Sequence, residues 1–499
     1  MVKVILTADR TLLSEYNKHV FIGFAACGPK VIPTWLYKRL FCPPVDEENG
    51  QLKYAHCGQR KLEAALLQHG FQPRDIAVVS PEKIGRAIDS ETKVLGITTH
   101  DPLGLGPASS TFGDLTNRAT FTSIFFQKII TNPALRKHQL KIIVGGAGAW
   151  QLADERIMSQ NNIDGVVLGE GEITGVDVIT RAVNRDPFPP ISQGDVVPLN
   201  SIPLILKPTL NGLVEVCRGC GRGCRFCNPT MMNYRCQPIN RICEEVRLNI
   251  NAGTGGVILH AEDILRYKTK GFVPNGAEVI HLFEEVRKVN DHIGFSHFAH
   301  ASVASDERLI EQLSEIIQTG SKICPFVSAQ VGIESGSPRM IAKYMKGKAK
   351  PFTPQQWPEM VVQSHKILQN NHWVPVNTFI LGLPGEEPDD ILKSKEMVEE
   401  LGRYKSLIVP LFFVPIGNLS QQDFFKVKDM RPEHWMLLAV CLTHTITWMK
   451  RMADEYLVSA GMNRVKAWAV KQVVYYADHR LKPYVQMMED GINPLTQAS

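Results

Sequence analysis

Two alternating patterns run along this chain. Short runs of apolar and β-branched residues are followed by stretches in which apolar residues recur every three or four positions. The short runs predict strands over 3–7, 76–79, 94–98, 140–144 and 163–168. Between them, Leu62, Leu66 and Leu67 mark one helix, and 121–130 and 176–182 read as two more. Strands that are apolar throughout, separated by amphipathic helices, predict a parallel sheet covered on both faces. Residues 12–54 show neither period and read as irregular, with paired prolines at Pro43 and Pro44.

A second alternating set predicts strands over 213–216, 257–260, 293–303, 326–333, 376–381 and 407–414. Helices fall between them on Ile242, Val246 and Ile250, on Val279, Leu282, Phe283 and Val286, on Leu309, Leu313 and Ile317, and over 360–368 and 388–401. Six strands each followed by a helix predict a partial (β/α)6 barrel, with its active site at the C-terminal strand ends. The run from Pro187 to Pro190 and the Ser/Gly/Asp stretch to Val197 read as a stiffened linker. Beyond the second set, 436–452 is a strongly apolar helix. Trp448, Tyr456, Trp468, Tyr475 and Tyr476 follow at helical positions, with Arg451, Arg464, Lys466 and Lys471 between them. Such a stripe can stack on nucleic acid, but packing against the core is the ordinary use and is the expectation here. The chain therefore divides into 1–190, a linker over 191–209, a core over 210–425 and a helical end over 426–499.

Composition narrows the class. The 499 residues have room for two or three cores, and 44% hydrophobic with 21% charged residues describes a globular chain. A net charge of +5 is too mild for a dedicated nucleic-acid binder, so nucleic acid is not an expected partner. No apolar run approaches the ~18 residues of a membrane span, and the early acid Asp9 breaks any signal-peptide pattern. A cytoplasmic setting is expected, in which the eleven cysteines stay free for metal.

The chemistry concentrates in Cys220-Gly-Arg-Gly-Cys224-Arg-Phe-Cys227. Three thiols set among glycines can converge on one inorganic centre, because glycine lets the backbone wrap closely. Thiolates favour zinc or iron–sulfur clusters, and zinc would want a fourth ligand that this spacing does not supply. Three cysteines on a 4Fe–4S cluster leave one iron open for substrate or cofactor. Acids stand at later strand ends, at Glu262 and Asp263 and at Glu334. In the first set, two loops stand at strand ends, a hydroxyl-rich one from Thr99 through His100, Asp101, Gly104, Ser109, Ser110 and Thr111, and the glycine turn Gly145-Gly146-Ala-Gly148. That turn is not a dinucleotide fingerprint, since Gln151 stands where the third glycine would be.

The Cys-x3-Cys-x2-Cys spacing with Phe226 before the last cysteine resembles the radical S-adenosylmethionine (SAM) enzymes. Ahead of it, the first set resembles the cobalamin-binding half found in many of them. The resemblance covers roughly 210–415 strongly and 60–185 more weakly. It implies an α/β chain with a Rossmann-like cobalamin domain, a (β/α)6 radical SAM core and a helical C-terminal domain. It implies a 4Fe–4S cluster on Cys220, Cys224 and Cys227, and SAM contacts from Phe226, Glu262 with Asp263 as understudy, Gln330, Glu334, Ser335, Leu381 and Gly382. Cobalamin contacts are implied for His100, Asp101, Gly104, Ser109, Ser110, Gly145, Gly146, Gly169 and Glu170. The Asp-x-His-x-x-Gly signature of other cobalamin proteins is absent, so His100 is placed by location alone.

The implied activity is methyl transfer from cobalamin to an unactivated carbon of a peptide or protein, with an external reductant such as ferredoxin or flavodoxin. The opening stretch from Leu6 to Asn17 and the Asp101–Gly104 loop also resemble methanogen enzymes that methylate a glutamine α-carbon in the methyl-coenzyme M reductase α subunit. Three rivals stand beside this. One is a methylthiotransferase with a second cluster on Cys27, Cys42 and Cys57, although the β-barrel that grips tRNA in that family is not evident. A second is a cobalamin-using radical SAM cyclase or rearrangement enzyme. The third is a non-catalytic sensor, in which Glu262, Glu334 and Gly382 would have little purpose.

Overall fold

The computed structural model describes residues 2–16, 20–456 and 464–496. It falls into two compact units, Met1–Val214 with Asn240–Val257, and Glu215–Ile239 with Ile258–Ser499.

The first unit is built on β1 (Val4–Ala8), a small hairpin of β2 (Glu47–Glu48) and β3 (Gln51–Leu52), then β4 (Ile76–Val78), β5 (Val94–Thr98), β6 (Lys141–Gly145), β7 (Gly165–Leu168) and β8 (Ile191–Gln193). The main sheet has the order β4-β1-β5-β6-β7-β8, with every pairing parallel. Side chains alternate across a strand, so β1 feeds two cores. Val4 and Leu6 pack with Leu66, Val176 and Ile179 on one face, while Ile5 packs with Ile97, Phe126 and Ile129 on the other. Both faces are thus covered by helices, which is why the strands are apolar throughout. The strand order reverses between β1 and β5, and ligands of open parallel sheets enter beyond the strand ends at such a switch point.

Two stretches depart from expectation. The start of the presumed linker, Ile191–Gln193, is the sixth strand, registered on Val166–Leu168. Residues 12–54 are not wholly irregular, since they hold the helix Thr34–Leu40 and the β2–β3 hairpin. That seven-residue helix is fixed by a tertiary contact, Tyr37 stacked on Phe121 at 3.7 Å between ring centroids, which periodicity cannot report.

The second set continues with β9 (Leu213–Glu215), a short antiparallel ribbon of β10 (Cys217–Arg218) and β11 (Arg235–Cys236), β12 (Val257–His260), β13 (Ile293–Phe295), β14 (Val327–Glu334), β15 (Trp373–Leu381) and β16 (Leu407–Phe412). The six long-range strands form sheets β13-β12-β9 and β14-β15-β16, joined by a parallel bridge between His297 and Gln330. This is the six-strand arc the pattern predicts.

The strand expected over 293–303 ends at Phe295, and His300–Ser305 is a helix. There His300 is buried with one ring nitrogen 2.9 Å from Ser364 Oγ and the other 2.9 Å from Asn377 Oδ1. Tertiary hydrogen bonding fixes a helix where the pattern reads as strand. The chain ends in two long helices, Pro432–Tyr456 and Arg464–Glu489. Residues 457–463 and the side chains of Tyr456 and Lys466 lie outside the described residues. Packing of the aromatic stripe is only half correct, because Trp448 is buried while Trp468 and Tyr476 are exposed. Among the described residues no helix is long and apolar enough to cross a membrane.

Candidate active site at the cysteine loop

The β10–β11 ribbon projects the loop that carries the three thiols. Its two strands set Cys217 opposite Cys236, where they are joined as a disulfide, so not all the cysteines remain free. Within the loop Gly219, Gly221 and Gly223 have φ of +67°, +64° and +74°, a region L side chains rarely adopt. At Gly219 a Cβ would also lie 2.8 Å from the Asn233 carbonyl oxygen. These turns aim the cysteines inward. Cys224 is buried and Cys220 and Cys227 are half-buried.

The thiols act on one another. A hydrogen bond from Cys227 holds Cys224 down to about 7, and the same bond pushes Cys227 up. Burial pushes Cys220 up. The Lys348 ammonium opposes the charge on all three. Among the described residues, no three His, Cys, Asp or Glu side chains converge as a single metal ion would require. A cubane cluster has a different demand, because each thiolate binds its own iron and the sulfurs stay apart. Three thiols on a glycine-hinged loop beside a buried cation fit such a centre, since cations stabilise thiolates.

Arg222 locks this loop in place. Its side chain is 4% exposed, and Nη2 donates to Asp263 Oδ2 at 2.9 Å and to Ser302 Oγ at 2.9 Å. Nη1 donates to the carbonyls of Gly347, Lys348 and Lys350 at 3.3, 3.2 and 2.9 Å. Asp263 is therefore committed to the protein, accepting also from Ser302 Oγ at 2.7 Å and the Ala299 amide at 3.3 Å. Glu262 beside it is half-buried and acts electrostatically on Cys220 and His297. Of the two acids, Glu262 is the one placed to meet a ligand.

The remaining residues expected at SAM divide in the same way. Glu334 follows a bulge in β14 and sits at φ +67°, strained for a residue with a side chain. Its carboxylate accepts from Lys348 Nζ at 2.9 Å and Thr378 Oγ1 at 3.1 Å. Burial would lower Lys348, but Glu334 and the thiols raise it above its ordinary value, so it stays charged. Gln330 is exposed on β14 and its side chain reaches His297. Ser335 is fully buried and accepts from the Ser337 amide at 3.1 Å, a structural duty. Leu381 is buried. Gly382 has φ +80°, donates its amide to Glu386 at 2.8 Å and leaves no room for a Cβ against the Phe425 ring. Phe226 is half-buried in the loop. Sequence reasoning missed Arg222, Lys348 and the ring pair His260–His297, 5.9 Å apart at neighbouring strand ends. The acid-free lysine run from Lys343 to Lys350 was the available signal for Lys348.

In the first unit, His100 is exposed just past β5 while Asp101 is buried. Asp101 Oδ1 accepts from the Gly106 amide at 2.8 Å and Gln151 Nε2 at 2.7 Å, which shapes the loop rather than offering it a ligand group. Gly104 has φ +72°, Ser109 is buried and Ser110 half-buried. Gly145 ends β6, and Gly146 sits at φ +94° with no room for a Cβ, which would lie 2.5 Å from the Thr99 carbonyl oxygen. The two strand-end turns touch backbone to backbone there, and no side chain larger than a methyl stands on 145–148. Gly169, at φ +78°, packs on Gly194, and Glu170 accepts from the Val197 amide at 3.1 Å, so both brace the following segment. Asp9, past the end of β1, was also missed. Burial raises it to about 6 against the hydrogen bonds from Thr11.

The three N-terminal cysteines have these surroundings. Burial raises Cys27 to about 11 and Cys42 to about 12, Cys42 Sγ donates to the Arg10 carbonyl at 3.2 Å, and Cys57 begins the helix Cys57–Gln68. Asn17, in the opening stretch, lies outside the described residues.

Residues 214–398 match the profile of the Radical SAM superfamily. A provisionally named methylthiotransferase of Methanocaldococcus jannaschii is 25% identical over 293 residues, 53% of this chain and 58% of that protein. The ribosomal protein uS12 methylthiotransferase of Chlamydia pneumoniae is 22% identical over 305 residues, 60% of this chain and 62% of that protein. The chain thus spans less than two thirds of the length of these relatives. Among solved structures, the radical SAM methyltransferase TsrM from Kitasatospora setae, with cobalamin and a 4Fe–4S cluster bound, superposes with a TM-score of 0.55 at 12% identity, over 84% of this chain and 74% of that one. The same protein with tryptophan and a SAM analogue gives 0.55 over 83% and 75%. The likeness is one of fold, an α/β chain with parallel sheets and a helical end. The cysteine loop, the arginine that locks it and the strand ends at Glu262, Glu334 and Gly382 all fall within the residues that match the Radical SAM superfamily.

Proposed function

We propose that this protein is a cobalamin-dependent radical SAM C-methyltransferase acting on an unactivated sp3 carbon of a peptide or protein. The observation that carries the reading is the first unit's parallel sheet. It opens at the β1/β5 switch point onto the exposed His100 and the 145–148 turn, which bears no side chain larger than a methyl. TsrM, a methyltransferase solved with cobalamin, shares the fold over most of the chain. When bound, the cluster with SAM supplies a hydrogen-abstracting radical, and cobalamin supplies the methyl group. The protein's share is positioning. Cys220, Cys224 and Cys227 hold the cluster, Lys348 offsets their charge, and Glu262 pairs with the ammonium of SAM. A glutamine of the methyl-coenzyme M reductase α subunit is the substrate to try first, with ferredoxin or flavodoxin as reductant and the cytoplasm as the setting.

The names of the curated relatives favour a second reading, methylthiotransfer. That reading calls for a second cluster, for which Cys27, Cys42 and Cys57 would be the ligands. Metal and product analysis of anaerobically purified protein separates the two. We expect about four irons per chain, stoichiometric cobalt after reconstitution, and equal amounts of 5′-deoxyadenosine and S-adenosylhomocysteine. About eight irons without cobalt would assign methylthiotransfer instead.

A further inference from the structure

Behind the cysteine loop lies a cleft of 360 Å³, floored by Phe272, Val273, Phe352 and Pro354 with Lys346 and Lys350 at its rim. The two segments that form it, 264–275 and 341–353, carry Arg266, Lys268, Lys270, Lys343, Lys346, Lys348 and Lys350 and not one acid. The chain as a whole is nearly balanced, with 55 basic and 50 acidic residues, so this is a local concentration. Lys268 is paired with Glu278 and Lys348 is turned inward to Glu334. Among the described residues, Lys270, Lys346 and Lys350 have no carboxylate partner, and all three are exposed.

The cleft is wired to the loop. Phe272 lies under three cations, with Lys350 Nζ at 4.9 Å, the Arg266 guanidinium at 5.2 Å and the Arg222 guanidinium at 5.6 Å from its ring centroid. Arg266 holds the Gly271 carbonyl at 2.7 Å and also donates to the carbonyl of Cys220 itself. Arg222, within the loop, holds the Lys350 carbonyl at 2.9 Å. One guanidinium therefore separates the aromatic floor of the cleft from a cysteine of the site.

We infer that this cleft is the docking face for a small acidic one-electron carrier protein. The inference rests on Cys220, Cys224 and Cys227 holding a redox cluster. Free lysines around an apolar floor suit an acidic protein that buries an apolar contact inside a charged rim, because opposite charge steers encounter and apolar surface holds the complex. A nucleic acid would be expected to use a longer run of cations tracking its phosphates. In the step itself one electron would pass from the reduced carrier, which is oxidised, to the iron–sulfur cluster that Cys220, Cys224 and Cys227 would hold, which is reduced. No bond is made or broken and no proton moves.

The test uses the reconstituted protein with a bacterial flavodoxin and, separately, a mixed tRNA pool as probes. The variant is Lys270→Glu/Lys346→Glu/Lys350→Glu, whose side chains are on the surface and outside the thiol site. Flavodoxin binding, followed by calorimetry, should weaken about tenfold or more and lose most of its salt dependence. SAM cleavage driven by dithionite, which needs no docking, should stay within twofold of wild type (an order-of-magnitude bound). Unchanged flavodoxin binding in the variant overturns the inference. So does tRNA binding that is lost in the variant while flavodoxin binding is not. Absence of dithionite-driven cleavage in the wild type would instead refute the radical SAM reading, a separate result from the binding arm.

Discussion

Asp263→Ala is the sharpest probe of how the loop is held. The carboxylate takes a charge-assisted bond from Arg222, a hydroxyl bond from Ser302 and a longer amide bond from Ala299, and both members of the ion pair are at most 4% exposed. A bond to a charged group contributes ~1.5–3 kcal/mol and a neutral one about 1. Truncating one partner of a buried pair costs ~3–5 kcal/mol, mostly because the other charge is stranded. Arg222 keeps three backbone carbonyls, so the lower end applies, and we expect about 3 kcal/mol. The assay is urea unfolding of the cofactor-free chain together with hydrogen exchange at the amides of 220–227, which should lose protection. Adding Arg222→Met removes the stranded charge, and the double variant should recover about 2 kcal/mol of that loss relative to additivity. A shift below about 1 kcal/mol with unchanged exchange would refute the reasoning. Selective loss of SAM binding in a loop that stays protected would return Asp263 to a ligand role.

Other outcomes follow from the same geometry. Alanine at Cys220, Cys224 or Cys227 should abolish iron binding and SAM cleavage, while serine at Cys217 or Cys236 should leave the iron content near wild type, as an iron assay would show. Gly146→Leu should unfold or destabilise the first unit by ~1–3 kcal/mol, because its Cβ meets the Thr99 backbone at a left-handed φ. A soluble, fully stable variant would disprove that packing. Burial lowers His365 and His444 to about 4 from the ordinary 6.5. A base whose folded value is depressed binds its proton more readily when unfolded, so the stability it contributes is present above 6.5 and lost as pH falls towards 4. For the fully buried His365 the shift corresponds to about 3 kcal/mol, readable as the pH dependence of urea midpoints. His365→Gln should flatten that slope.

The local periods along the chain were enough to set both architectures. The apolar run at 94–98 and the amphipathic stretch at 388–401 became Val94–Thr98 and Pro388–Leu401, because a strand or helix that buries its pattern is specified by that pattern. The cysteine loop was equally legible, since spacing and glycines are local properties. What the sequence alone could not decide was which polar groups would face a ligand and which would be consumed by the protein. Glu262 and Asp263 are neighbours in the chain, yet only the fold brings Arg222, Ser302 and the 299 amide onto Asp263 and leaves Glu262 facing the thiols. Gly146 looked like a place for a cofactor, but a backbone carbonyl from the neighbouring turn occupies the space a Cβ would need. His300 sat in a stretch that reads as strand and became helical because Ser364 and Asn377, distant in sequence, take both its nitrogens. The basic cleft joins two segments about 75 residues apart, each unremarkable by itself. Periodicity is written between neighbours, whereas the partner of a buried charge is chosen by residues the chain brings together only after it has folded.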